Sequence, residues 1–202
     1  MKIISHRGWW RHPAEKNTPE AFRRTLDGGY GTETDVRDRA GRLVVSHDPA
    51  GDDAMAWDDL LAAFDRSGLP LAVNVKADGL APLLAEAFGR YDVPWFAFDM
   101  SGPETVRYAA AGLPFYTRHS DVEPEPILYA EAAGVWLDAF RNDWFDQDTV
   151  ARHLDANKAV CVVSPELHGR EPRRLWERLA RLSGEVTLCT DLPDEASRAF
   201  AQ

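Results

Sequence analysis

Residues 2–36 read KIISHRGWWRHPAEKNTPEAFRRTLDGGYGTETDV, and this stretch decides the fold. An apolar run, Lys2 to Ser5, is followed by Thr18-Pro19-Glu20, which places an N-cap hydroxyl, a first-turn proline and an early acid. Gly28-Gly29 ends that helix, and a second apolar run, Gly31 to Val36, follows at once. Strand, helix and strand in that order form the crossover unit of a parallel sheet.

The same rhythm continues outward from this unit. Further strands are expected at Leu71 to Val75, Trp95 to Phe98, Pro114 to Thr117, Gly134 to Leu137, Ala159 to Val163 and Val186 to Cys189. They lack polar alternation, as expected of strands covered on both faces. Leu43 to Ser46 follows the turn Asp38-Arg39-Ala40-Gly41 and reads as a hairpin added to the second strand. Helical spacing fills the gaps: Trp57 to Arg66, Leu80 to Tyr91, a capped segment from Ser101-Gly102-Pro103-Glu104, Glu125 to Ala133, Asp146 to Ala156, Arg173 to Leu182 and a short helix from Asp194. Eight strands alternating with eight helices predict an α/β fold, a (β/α)8 barrel of the TIM type, with a doubly wound open sheet as the structural alternative. Such barrels usually take about 250 residues. A chain of 202 is therefore expected to be one compact domain, residues 1–202, with short loops.

Composition narrows the function. Hydrophobic residues make up 45% of the chain, enough for a packed core, and 33 acidic against 23 basic side chains give a net charge of -10. That field opposes polyphosphate backbones and anionic surfaces, so nucleic acid is not an expected partner. Cys161 and Cys189 lie in apolar runs without metal-ligand spacing and read as small buried hydrophobes. No apolar stretch is long enough for a signal peptide or an integral membrane segment, so a cytoplasmic location is expected.

In a β/α barrel the chemistry gathers where strands end. Here they end in His6-Arg7-Gly8, Glu33-Thr34-Asp35, His47-Asp48, Asn74-Val75-Lys76, Asp99, Arg118, Asp138, Glu166 with His168 nearby, and Asp191. Glu33 and Asp35 are two apart, so their carboxylates leave one face of the strand and repel unless a cation lies between them. A hard divalent ion, Mg²⁺ or Ca²⁺, is one solution; a salt-bridge network with Arg7 or Lys76 is the other. His6 and His47 flank the pair and can exchange protons near neutral pH. Acids, imidazoles and cations together suit phosphoryl chemistry.

The stretches His6-Arg7-Gly8, Glu15, Asn17-Thr18-Pro19-Glu20-Ala21-Phe22, Glu33-Thr34-Asp35-Val36 and Val44-Val45-Ser46-His47-Asp48 resemble, in order and spacing, the opening signature of the glycerophosphodiester phosphodiesterases. Thr190-Asp191-Leu192-Pro193 is similar to the end of that family's last strand. The resemblance implies a metal-dependent TIM barrel that cleaves small phosphodiesters of glycerol-like alcohols. It implies His6 and His47 as the acid/base pair, Arg7 as a phosphate contact, and Glu33 and Asp35 as ligands of a divalent cation. It further implies that a substrate hydroxyl beside the phosphoester is the nucleophile, which agrees with the absence of G-x-S-x-G, P-loop and H-E-x-x-H motifs.

Two departures set this chain apart. Where the family has E-x-K, Asn74-Val75-Lys76 offers an amide oxygen in place of a carboxylate, so cation affinity should fall unless Asp99 or Glu166 compensates. If the cation is lost altogether, the barrel becomes a phosphate-ligand binding protein and not an enzyme. The segment after His47-Asp48-Pro49, Ala50 to Ala56, is also shorter than the family's usual cover. Lys76, Arg118 and His168 are the further candidates for phosphate or substrate contact, with Arg170 beside His168. Trp9-Trp10 is read as packing for the first loop.

Overall fold

The structure, a computed structural model, describes residues 1–182 and 184–201. In chain order its elements begin β1 (Lys2–His6), α1 (Pro19–Asp27), β2 (Gly31–Arg39), β3 (Arg42–Val45), β4 (Met55–Ala56), α2 (Trp57–Phe64), β5 (Leu71–Val75), α3 (Ala81–Phe88) and β6 (Trp95–Phe98). They continue with α4 (Gly102–Ala110), β7 (Tyr116–His119), β8 (Gly134–Leu137), α5 (Gln147–Asp155), β9 (Ala159–Val163), α6 (Arg173–Leu179), β10 (Val186–Thr190) and α7 (Pro193–Phe200). The expected caps form: Thr18 accepts from the Ala21 N–H and Ser101 from the Glu104 N–H.

Eight parallel strands run round the barrel in the order β6-β5-β2-β1-β10-β9-β8-β7. β3 and β4 fold back antiparallel on the extended end of β2, so the hairpin expected there is present. Between β6 and β7 there is no ladder, only a single bridge of Ala97 to Phe115 and the hydrogen bond from the Ala97 N–H to the Pro114 carbonyl at 2.9 Å. The barrel expected from sequence is thus laddered at seven junctions and left open along this seam.

One expected helix is absent. Residues 125–133 form turns, because Pro126 drives Glu125 away from helical backbone and Leu128 sits at φ 49°, which no α-helix accommodates. The described residues therefore hold seven α-helices, not eight. None of them is long and apolar enough to cross a membrane.

The core divides into layers. Phe22, Trp57, Leu60, Phe64, Leu84 and Tyr108 pack α1 to α4 on the outside of one half; Val150, Leu175, Trp176, Leu179 and Ala196 do so on the other. Inside the ring stand Ile4, Ala72, Phe96, Phe98, Trp136, Cys161, Val163 and Cys189. Phe98 stacks on Trp136 with centroids 3.8 Å apart and Phe96 on Tyr116 at 3.6 Å. Gly134 makes room for that filling, since a Cβ there would lie 2.6 Å from the Tyr116 ring. Both cysteines are free and buried in this interior, as the sequence suggested.

Candidate active site

Strand register decides what the barrel mouth contains. Ile4 faces the interior, so His6, two residues on, does as well. His6 is paired with Glu33, Asp35 with Asn74, and Asn74 with Phe98, which puts all of these on the inward face. Arg118 pairs with Trp136 and follows the same rule on the far side. A cavity of about 340 Å³ opens here, with His6, Arg7, Glu33 and Asn74 on one wall, Arg118, Asp138 and His168 on the other, and Phe98 and Trp136 between.

On the first wall, Glu33 and Asp35 are 1% and 0% exposed. Burial, with Asp35 beside it, pushes Glu33 up to about 8 against the pull of Arg7 and Lys76. The Arg7 Nε lies 2.8 Å from Asp35 Oδ2, and the Lys76 Nζ 3.3 Å from Asp35 Oδ1. The salt-bridge alternative raised by the E-x-D spacing is therefore present. Neither cation is aligned as a donor, however, and Arg7 Nε and Asp35 Oδ1 both lack a hydrogen-bond partner. Arg7 sits at φ 59°, its N–H donating to the Glu33 carbonyl and its carbonyl accepting from the Asn17 N–H, both at 2.9 Å, and Gly8 follows at φ 84°, where a Cβ would meet that of Ala21 at 2.7 Å. Asn17 completes the support: its Nδ2 donates to Asp35 Oδ2 at 2.8 Å, and its Oδ1 accepts from Thr34 at 2.9 Å.

His6 is oriented by Asp191. Its Nδ1 lies 2.7 Å from Asp191 Oδ1, while Nε2 faces Glu33 Oε2 at 3.9 Å. Burial pulls the imidazole below its ordinary value, opposed by the Asp191 bond and charge. Burial raises the Asp191 carboxyl, yet the bond and charge of His6 leave it below the usual range. An ionised Asp191 only accepts, so the proton of neutral His6 sits on Nδ1 and the Nε2 lone pair is turned to the cavity. Trp10 donates its indole N–H to the His6 carbonyl at 3.2 Å and Asp191 Oδ1 at 3.3 Å, with Lys16 over its ring. Trp9 instead packs edge-on against Tyr30.

The second wall is built differently. The Arg118 guanidinium contacts Asp99, Asp138 Oδ2 at 2.8 Å and Glu123 at 3.0 Å, and lies over Phe140. His168 Nε2 reaches Asp138 Oδ1 at 2.7 Å. Arg170 is engaged by Asp143 and the Ala139 carbonyl, away from an anion-binding role.

His47 does not line the cavity. It follows β3 on an exposed turn, its side chain 46% accessible and its Nδ1 2.9 Å from Asp48. Its backbone is nonetheless tied to the acid pair, since the adjoining Ser46 N–H donates to the Asp35 carbonyl at 3.1 Å.

Among the described residues no group of three or more His, Cys, Asp or Glu side chains is arranged to hold a metal. The two proposed substitutes for the missing third acid are committed elsewhere: Asp99 to Arg118, and Glu166 to Ser164, Thr190 and the Asp191 N–H. Three oxygen-bearing side chains remain, Glu33, Asp35 and Asn74. Asn74 Oδ1 and Asp35 Oδ1 are buried without a hydrogen-bond partner, so the oxygens present fit the needs of a hard cation.

Asp191, Asn17 and Lys16 have no assigned role in the sequence reading. Asp191 was visible as a strand end and Asn17 within a motif, but their partners lie far off in sequence.

No protein-family profile and no curated protein matches the sequence. Solved structures do. A phosphodiesterase of Oleispira antarctica, in complex with the product sn-glycerol-3-phosphate, aligns over 100% of this chain and 97% of its own at 16% identity with a TM-score of 0.74. A glycerophosphodiester phosphodiesterase of Parabacteroides distasonis aligns over 99% and 96% at 17% identity with a TM-score of 0.71. The fold is that of the glycerophosphodiester phosphodiesterases. A Ca²⁺-dependent phosphatidylinositol-specific phospholipase C of Streptomyces antibioticus shares it more distantly, with 12% identity, coverage of 98% and 96%, and a TM-score of 0.56.

Proposed function

We propose that this chain, as one domain over residues 1–202, is a phosphoric diester hydrolase acting on glycerophosphodiester-like small molecules. The observation that supports it most is the first wall of the mouth: an imidazole oriented by Asp191 beside two buried carboxylates and two cations that are poorly satisfied by one another. Arg7 and Lys76 bind the phosphoryl oxygens, for which their incompletely bonded donors are suited. The His6 Nε2 takes the proton of a substrate hydroxyl next to the phosphoester, and Asp191 stabilises the imidazolium that forms. That hydroxyl attacks phosphorus as the bond to the leaving oxygen breaks, and the alcohol leaves with a proton from His47, on the turn after β3. Glu33, Asp35 and the amide oxygen of Asn74 are the residues that would hold Mg²⁺ or Ca²⁺, which when bound neutralises charge developing on the phosphoryl oxygens.

Hydrolysis of glycerophosphodiesters, with and without chelator, tests this reading. We expect turnover that His6→Ala reduces by about 10²- to 10⁴-fold. Equal rates for His6→Ala and wild type would overturn the assignment.

A further inference from the structure

The orientation of His6 depends on Asp191, and Asp191 stands on the two-residue turn between β10 and α7. α7 opens at Pro193, which has no N–H to offer, so the turn is held by the N–H groups of residues 191 and 192. Both go to side chains. Asp191 donates its N–H to Glu166 Oε1 at 3.1 Å, and Leu192 donates to Thr190 Oγ1 at 3.0 Å. The Thr190 hydroxyl donates in turn to the same Glu166 oxygen, so both links end on one carboxylate. Glu166 lies in the short 3-10 turn Pro165–His168 after β9, and its Oε2 accepts from the Ser164 hydroxyl. Ser164 is fully buried; its Oγ accepts from the Trp176 indole N–H of α6, and its backbone N–H donates to the Cys189 carbonyl of β10, both at 2.9 Å. The carboxylate is thus braced by α6 and β9 on one side and braces the turn after β10 on the other.

We propose that Glu166 is a positioning residue for the cleavage, holding the turn after β10 so that the Asp191 carboxylate meets His6 Nδ1; this rests on the phosphodiesterase reading above. Its donors are two hydroxyls and a backbone N–H, so it acts on His6 through Asp191 and carries no proton of the reaction. Removing the acceptor frees the turn, and a shift of about 1 Å in Asp191 is enough to release the imidazole from its tautomer and its aim. An amide can fill this role and a methyl group cannot. In Glu166→Gln the side-chain oxygen still accepts from the Asp191 N–H and the Thr190 hydroxyl, while the amide nitrogen donates to Ser164 Oγ.

The test measures cleavage of glycero-3-phosphoethanol by wild type, Glu166→Ala, Glu166→Gln, Asp191→Ala and the double variant Glu166→Ala/Asp191→Ala. We expect Glu166→Ala to lower kcat about 10- to 100-fold with KM within about twofold, because Arg7 and Lys76 still bind the phosphoryl group. Glu166→Gln should recover that loss to within about threefold of wild type. In the Asp191→Ala background Glu166→Ala should cost less than about twofold more, since the group it positions is already gone. Nitrogen NMR shifts of the His6 ring, assigned by their loss in His6→Ala and recorded at mildly alkaline pH, read the tautomer without turnover and from folded protein only. They should report Nδ1–H in wild type and Glu166→Gln and a mixture of tautomers in Glu166→Ala. Equal losses in the Ala and Gln variants, the same factor with and without Asp191, or an unchanged tautomer in Glu166→Ala would overturn the proposal. A wild type that cleaves nothing defeats the phosphodiesterase reading and the role of Glu166 within it, a failure told apart from the others because the ring shifts would still respond to Glu166→Ala.

Discussion

The two walls of the barrel mouth contain the same chemical parts and use them in opposite ways. On the wall made by β1, β2 and β5, Asp35 touches two cations without a well-aligned hydrogen bond to either, and buried oxygens of Asp35 and Asn74 go unmet. On the wall made by β7 and β8 with the end of β6, one guanidinium is surrounded by Asp99, Glu123 and Asp138, and Asp138 accepts from Arg118, His168 and a backbone N–H. A saturated network gains nothing by meeting a ligand, while an unsatisfied one gains a great deal. On the function proposed above, the first wall is the one left with groups to offer a ligand, while the second is occupied by its own internal contacts.

The largest expected effect tests the reactive wall. His6→Ala should lower kcat by about 10²- to 10⁴-fold, with Asp191→Asn losing less because the imidazole remains and only its orientation is weakened; steady-state rates of the two variants check the order. Next comes the structural wall. Arg118→Met leaves three carboxylates without their shared cation and should cost about 3 kcal/mol in urea unfolding. Lys76→Met, which leaves Asp35 its contact with Arg7, should cost about 1 kcal/mol or less. Similar costs for the two would erase the contrast between the walls.

A smaller effect lies behind the second wall, where His119 Nδ1 is 2.9 Å from His153 Nε2 and Tyr129 hydroxyl 2.8 Å from His153 Nδ1. Burial, then the neighbouring His119, lowers His153 to about 4. The unfolded chain takes up this proton near pH 6.5 and the folded one only near 4, so stability is full above 6.5 and declines between those values. That decline should amount to about 1–2 kcal/mol after allowance for partial exposure, and His153→Phe should flatten it in unfolding curves measured across the window. The smallest change is in cation affinity: Asn74→Glu restores a third carboxylate and should tighten Mg²⁺ or Ca²⁺ about tenfold by calorimetric titration. An unchanged affinity would remove residue 74 from the ligand set.

The barrel rhythm was legible because strand and helix periodicities are local, and so was the first wall, because Glu33-Thr34-Asp35 and His6-Arg7 are short-range patterns whose face is set by strand pleat. The second wall was not. Asp99, Arg118, Glu123, Asp138 and His168 come from five separate places on the chain, and nothing local says that one guanidinium gathers three of the acids. The missing helix at 125–133 has a local cause that apolar spacing obscured, with Pro126 and the left-handed Leu128 overriding it. His47 shows the converse: its motif places it in sequence, but the side chain's direction depends on the turn after β3, which spacing does not specify.

The seam between β6 and β7 divides the chain into two half-barrels, the first containing β1, β2, β5 and β6 and the second β7 to β10. Besides one bridge at the seam, the ladder that joins these halves is the one between β1 and β10, where Ser5 is registered with Thr190 just before His6 meets Asp191. His6 thus belongs to one half and the carboxylate that orients it to the other. With the chain cut in the loop before Phe115, neither fragment would hold an oriented His6, so the proposed activity, if regained on mixing the two, would report their reunion.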